Sequence, residues 1–519
     1  MSSTTAVPID DMMVNTERSA TRRHIRGSSL LLVGRMVSLA LNFGVQVLTV
    51  RYLSKSDYGA FAYALAVVSM GSSVSSLGLN RAIARFVPIY QEQRDYPHMF
   101  GTIILSIGTI LGFGVALVLL VFGLQGLLIR SFVSNPLSAG LLLIMITLAP
   151  LQALDNWFQG MLAIFASPRA IFFRRYVLGP GLKLGAVLLV ILYHGNVNLL
   201  AFGYLIGGIL GVSIYTVMLF HVIRNLGLLR YFRLRTIKMP ARAVFGFSIP
   251  TLSTDLVFIL KSSMAVVLLE YFSSTVDVAE FRAVVPVAGL SLVVFQSFRL
   301  LFIPLAARLF ALNDATGIND LYWKTAVWIT IITFPIFAIC FSMAEPLTVL
   351  LFGTRYAQSG TILALLALGN YLNAALGFNS DTLKVYGKVG YIVAIDILSA
   401  VIFLGLNLWL IPRYGALGAA IGTCCSLIVY NILNHAGLLL GTAIDLFQWQ
   451  YLKVYLSIVL GAGGLFLVQE MVEPPLYIGG ILLALVFLLL LRFNRNVLDI
   501  MQMFPELGRI PPVRRFLVS

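Results

Sequence analysis

Charge is what this sequence has least of. Only 11% of its 519 residues are charged and 59% are hydrophobic, whereas a soluble domain is roughly a quarter charged and half apolar. A soluble globular class is excluded. Cysteine is scarce as well. Cys340, Cys424 and Cys425 are the full set and all lie in apolar runs, so packing is their expected role and no extracytoplasmic disulfide framework is expected. There are 5 histidines, and no HExxH, GxxxxGK[ST], paired-carboxylate site or Ser/His/Asp arrangement occurs. The expectation is a protein that is not an enzyme and has no cofactor or metal. The apolar segments lack period-two alternation, which excludes a β-barrel. No cleavable signal peptide precedes the first apolar run, so that run is expected to direct insertion itself.

What the chain has instead is apolar length. Segments of about 20 residues recur between residues 28 and 492, each able to cross a core of about 30 Å as a helix, and we count about fourteen. Short cytoplasmic loops retain Lys and Arg, which orients the chain. Of the 36 basic residues, about 27 share a side with the N-terminus. They include Arg22, Arg23 and Arg26 before the first segment, Arg81, Arg85 and Arg94 after the second, and Arg224, Arg230, Arg233, Arg235, Lys238 and Arg242 after the sixth. The other side keeps Arg51, Lys55, Arg130, Arg355 and Arg413 beside Asp57, Glu270, Asp277 and Glu280. Both termini are therefore expected in the cytoplasm, and the protein in the cytoplasmic membrane. The net charge of +15 gathers at helix ends on one side, where membrane lipids rather than nucleic acid are the expected partner.

A short motif occurs twice. "RYLSKSDYGAFAYA" (Arg51–Ala64) returns as "EYFSSTVDVAEFRAV" (Glu270–Val284), with one residue inserted and with Glu280 and Arg282 where the first copy has Ala60 and Ala62. At nearly the same offset, "FQGMLAIF" (Phe158–Phe165) falls on "FNSDTLKVY" (Phe378–Tyr386), and "LLAFGYLIGG" falls on "YGALGAAIGT". Three matches in one order point to a duplicated unit of about six helices. An even number keeps both copies in the same orientation. The expected architecture is an all-α integral membrane protein with two parallel-repeat six-helix lobes around a central cavity, plus two C-terminal helices. Its parts are a disordered cytoplasmic tail over 1–25, a lobe over 26–223, a basic cytoplasmic linker over 224–243, a second lobe over 244–440, the extra helix pair over 449–492 and a cytoplasmic tail over 493–519.

Polar residues inside membrane helices line water or pack closely against neighbours. The first helix carries Arg35, Ser38, Asn42, Gln46 and Thr49 on one stripe, and the second carries Ser69, Ser72, Ser73, Ser76 and Asn80. Their repeat partners carry Ser248, Thr251, Asp255 and Ser262, then Arg282, Gly289 and Gln296. Embedded charge is the sharper signal, because each such group costs a few kcal/mol unless paired or hydrated. The embedded cations are Arg35, Lys183, Lys261 and Arg282, and the embedded acids are Asp155, Asp255 and Asp396. Asp255 and Lys261 are about 120° apart round one helix, so each needs a cavity or a partner on another helix. For Arg282 the competing reading is snorkelling to the outer face. A cationic cavity suits an anionic cargo, and arginine matches phosphate oxygens with paired donors. Arg35, Asn42, Gln46, Asp255, Lys261, Arg282 and Gln296 are the expected substrate-binding residues. Asp155, Asp255 and Asp396 are the ion-coupling candidates.

"LTVRYLSKSDYGAFAYALAVV" followed by "GLNRAIARFVP" resembles the opening of the polysaccharide transporter branch of the superfamily that also holds MATE drug exporters and lipid II flippases. "PLTVLLFGTRYAQSG" and "IPRYGALGAAIGT" resemble its second half, so the likeness covers residues 26 to 492. It implies a Wzx-like flippase that turns a polyprenyl-diphosphate-linked oligosaccharide to the outer leaflet by alternating access, serving cell-surface polysaccharide synthesis. Polysaccharide polymerases or glycosyltransferases are its implied partners. By position, Arg35, Lys261 and Arg282 resemble that family's cavity cations, and the last two helices resemble the pair that forms a lipid-tail groove in lipid II flippases. A MATE-type drug or cation antiporter is the alternative, but a basic cavity and a terminal helix pair argue against it. An O-antigen polymerase or ligase would carry a large outer loop with catalytic groups, and every outer loop here is short.

Overall fold

The computed structural model describes residues 33–126, 135–165, 172–442, 444 and 449–499. The tail expected over 1–25 and most of the one over 493–519 lie outside them. Every regular element among the described residues is helical. The helices are α1 (Val33–Tyr52), α2 (Lys55–Ser76), α3 (Leu79–Glu92), α4 (Tyr96–Gly123), α5 (Pro136–Met145), α6 (Leu148–Phe165), α7 (Gly179–Leu192) and α8 (Val197–Asn225). After a linker come α9 (Ala241–Phe272), α10 (Thr275–Ala288), α11 (Leu290–Ala311), α12 (Ala315–Ser342), α13 (Ala344–Phe352), α14 (Ser359–Ala375), α15 (Asn379–Val385), α16 (Val389–Gly441), α17 (Trp449–Val472) and α18 (Leu476–Phe493).

Polar caps set the helix starts. Asp95, Asn196, Ser274 and Asp314 accept backbone N–H groups of α4, α8, α10 and α12, satisfying donors that a helix leaves open in its first turn. Among the described residues 11 helices are long and apolar enough to cross a membrane, or up to 12 if α5 and α6, bent by 44°, form one span. The sequence reading counts about fourteen. That set omits α9, which is 32 residues long, and takes the 53 residues of α16 as one helix. At 1.5 Å per residue α16 would run about 80 Å, more than twice a bilayer core. Gly415 breaks it instead, at φ 54° and ψ −131°, a region that an L side chain rarely enters.

The described residues form two compact units. One holds 33–53, 67–126, 139–165 and 172–256. Its core gathers Ile83 of α3, Phe100 and Ile110 of α4, Trp157, Phe158 and Met161 of α6 and Tyr215 of α8. The other holds Ser54–Ala66, 135–138 and the described residues from Val257 on. There Phe337 of α12 stacks on Tyr371 of α14 with ring centroids 4.1 Å apart, and Trp323 of α12 stacks on Tyr451 of α17 at 5.2 Å. The extra pair, α17 and α18, belongs to this second unit: Gly461 meets Phe334 of α12 and Val486 of α18, and Ser342 donates to the Ala462 carbonyl at 3.3 Å.

Candidate functional site

The two copies of the short motif build the same local structure. Ser54 caps α2: its Oγ accepts the Asp57 N–H at 3.0 Å and donates to Asp57 Oδ2 at 2.7 Å. Ser274 caps α10 the same way, with Asp277 at 3.1 and 2.7 Å. This reciprocal S-x-x-D arrangement starts a helix locally. The tips also touch. Gly59 lies so close to α10 that a Cβ there would fall 1.9 Å from the Thr275 carbonyl oxygen. Lys55 Nζ donates to Glu280 Oε1 at 2.6 Å and lies 5.3 Å from the centre of the Tyr356 ring. Asn135 donates to Thr275 Oγ1 at 3.2 Å and to Ser56 Oγ at 3.4 Å. Glu280 thus replaces the Ala60 of the first copy because it answers the lysine of that copy.

In the same unit, Lys261 of α9 finds the partners that an embedded charge demands. Its ammonium donates to Ser399 Oγ, lies 4.8 Å from the centre of the Tyr430 ring and interacts electrostatically with Asp396. Asp396 also interacts electrostatically with Tyr430, whose backbone carbonyl accepts Asn434 Nδ2 at 2.8 Å. Two residues singled out in the sequence, Lys261 and Asp396, are therefore together. Arg282 is half-buried on α10 and Gln296 exposed on α11; the Asp255 side chain lies outside the described residues.

A second ionic group adjoins this one, and sequence reasoning missed it. Asp381 on α15 is buried; Arg299 of α11 donates through Nη2 to its Oδ1 at 2.7 Å and holds Nε 2.7 Å from Oδ2, while Lys384 donates to Oδ1 at 3.2 Å. The signal was the Asp381/Lys384 spacing of three within "FNSDTLKVY", which brings the two onto one helix face. A polar thread continues from here: Asn379 donates to Asn431 at 2.9 Å, Asn431 to Asn373 at 3.0 Å, and His435 lies 3.3 Å from both Asn379 and the Tyr322 hydroxyl. The thread runs where α14 gives way to α15. Gly377 turns there at φ 74°, and the freed carbonyls of Ala375 and Leu376 accept Tyr455 at 2.7 Å and Tyr322 at 2.6 Å. Broken backbone inside a membrane needs such side-chain donors.

In the other unit, Arg35 and Gln46 of α1 are half-buried, while Asn42 is exposed and donates to the Ser38 carbonyl at 2.7 Å. Thr49 returns its hydroxyl to the Val45 carbonyl at 2.7 Å. Part of the stripe therefore satisfies its donors on its own helix. Asp155 of α6 accepts Gln159 at 2.8 Å and interacts electrostatically with Lys183 of α7.

Residues 24–310 match the family model described as polysaccharide biosynthesis protein. The chain belongs to this family. Within the polysaccharide biosynthesis family it is a multi-pass membrane protein, and it is 21% identical over 427 residues to an uncharacterized membrane protein of Methanocaldococcus jannaschii, covering 78% of this chain and 82% of the relative. Its fold is similar to that of the lipid II flippase MurJ in an inward closed conformation, with a TM-score of 0.65, 17% identity and coverage of 91% of this chain and 99% of MurJ. An inward-facing multidrug resistance MATE transporter matches with a TM-score of 0.61 and 15% identity, covering 80% and 97%. The resemblance read in the sequence is borne out: this family member has the fold shared by lipid II flippases and MATE transporters.

Proposed function

We propose that this protein is a flippase that carries a polyprenyl-diphosphate-linked oligosaccharide across the cytoplasmic membrane by alternating access, with both termini cytoplasmic, for cell-surface polysaccharide synthesis. The family match over residues 24–310 carries the reading, and the fold likeness to MurJ, named a lipid II flippase, supports it. The chemistry required is binding rather than bond-making: an anionic headgroup must leave water, cross, and leave again. Arg35, Lys261 and Arg282 supply the cationic contacts in this reading, with Asn42, Gln46, Asp255 and Gln296 as polar partners. Lys261 is the residue whose surroundings favour such a role most. Ser399, Tyr430 and Asp396 surround its ammonium, and an incoming phosphate can compete with them for it.

Coupling to an ion gradient falls in this reading to Asp396, Asp255 or Asp155. Neutralising Asp396 would release Lys261 toward the cargo, which links ion and substrate through one contact. Glycosyltransferases that build the lipid-linked oligosaccharide and polymerases that consume it are the proposed partners.

The test is a flipping assay in proteoliposomes with a lipid-diphosphate-linked oligosaccharide, comparing wild type with Arg35→Ala, Lys261→Ala and Arg282→Ala at matched protein levels. Movement by wild type, with loss in at least one folded variant, supports the reading and its cationic site. Three variants equal to wild type would remove the site while leaving the transporter. Export of cationic dyes without lipid movement would replace the reading with a drug antiporter.

A further inference from the structure

The linker between α8 and α9 lies on the start of α4 and continues into a groove there. Tyr231 stacks on Tyr96 with centroids 3.9 Å apart, and Phe232 meets Phe100 edge-on at 5.1 Å. Lys238 donates its N–H to the Pro97 carbonyl at 3.3 Å. Gly101 permits this approach, because a Cβ there would lie 1.9 Å from the Lys238 carbonyl oxygen. Just beyond, a groove of about 480 Å³ runs along α4, from Ile104 to Ala116, with Met239 and Phe245 as its other wall. Its lining is almost wholly apolar. Gly108 and Gly112 form part of its floor, and a Cβ at either would meet nothing within 4 Å.

Beside the groove is a second hollow of about 540 Å³ lined by Phe232, Arg233, Arg235 and Thr236. Thr236 is three residues from Met239, so the two hollows are within about 10 Å along the backbone. One feature is greasy and one is cationic. The twelve steps from Ile104 to Ala116 rise about 18 Å, close to half of a hydrocarbon core of about 30 Å. That is the reach of one acyl chain in one leaflet; a long polyprenyl chain would overrun it.

We propose that this is a binding site for an anionic glycerophospholipid, with an acyl chain on Gly108 and Gly112 and the headgroup phosphate on Arg233 and Arg235. A basic hollow at the membrane surface attracts anionic headgroups, and guanidinium groups give phosphate paired donors. Such a lipid would tie the linker to α4 in addition to the aromatic pairs. The site shares no residue with the Lys261 group and does not depend on the cargo proposed above.

The test is native mass spectrometry of the full chain, extracted from vesicles of phosphatidylglycerol and phosphatidylethanolamine in equal amounts. Wild type should retain phosphatidylglycerol in preference to phosphatidylethanolamine. Arg233→Gln with Arg235→Gln, both exposed, should lower that retention on the order of tenfold or more. Gly112→Trp should fill the groove and abolish retention while both arginines remain, with unfolding temperature unchanged. Equal retention of the two lipids by wild type, or undiminished phosphatidylglycerol in either folded variant, would overturn the proposal.

Discussion

Lys55 and Glu280, 225 residues apart in sequence, meet at 2.6 Å where the two copies of the repeated motif touch. Their side chains are only 22% and 11% exposed, so each charge depends on the other more than a surface pair would. Removing one partner strands the other. We expect Lys55→Ala and Glu280→Ala each to destabilise the second unit by about 3 kcal/mol, with the double variant costing clearly less than the sum. Thermal unfolding of the four proteins in detergent measures the coupling, and strict additivity would show that the contact does not matter.

Gly59 offers a steric test of the same junction. A methyl group there has no room, since backbone cannot retreat as a flexible side chain does. Gly59→Ala should separate the two tips and cost about 3 kcal/mol or more. Gly405 on α16 meets nothing within 4 Å, and Gly405→Ala should stay within about 1 kcal/mol of wild type. Unfolding curves that rank the two alike would contradict the close approach.

Lys261 and Asp396 should be separable by transport kinetics. Lys261→Ala is expected to reduce flipping by about tenfold or more, as a lost charged contact to phosphate does. Asp396→Asn should keep substrate binding but change the dependence of flipping on an imposed ion gradient. Initial rates in proteoliposomes with and without proton and sodium gradients decide this. An unchanged gradient response in Asp396→Asn would remove that residue from coupling.

Asp314 gives a prediction about pH. It accepts the Gly317 N–H and the Thr316 hydroxyl, each at 2.9 Å, and these bonds, the backbone one first, hold its carboxyl below its ordinary value of 3.8. A lowered folded pKa means the stabilisation is complete above the unfolded pKa and fades as pH falls through the folded one. The start of α12 should therefore loosen below about pH 4. In Asp314→Asn that acid-limb component should disappear, while Asp314→Ala should loosen the cap at every pH. Hydrogen exchange of the first turn of α12 against pH reads both.

The sequence alone determined that this chain lives in a membrane, is all-helical and repeats a capped hairpin. Those properties are sums over neighbouring residues: transfer of apolar segments, and a serine three residues before an aspartate. The demand for partners was also legible, because an embedded Lys261 or Asp396 cannot stand alone. Which partners they have was not. Lys261 with Ser399 and Arg299 with Asp381 join residues 138 and 82 apart, and no local pattern encodes such distances. The tertiary structure also decided that Glu280 answers Lys55 and that the basic linker continues into an apolar groove. In each case the deciding energy is a contact between distant segments, and it exists only once the helices have packed.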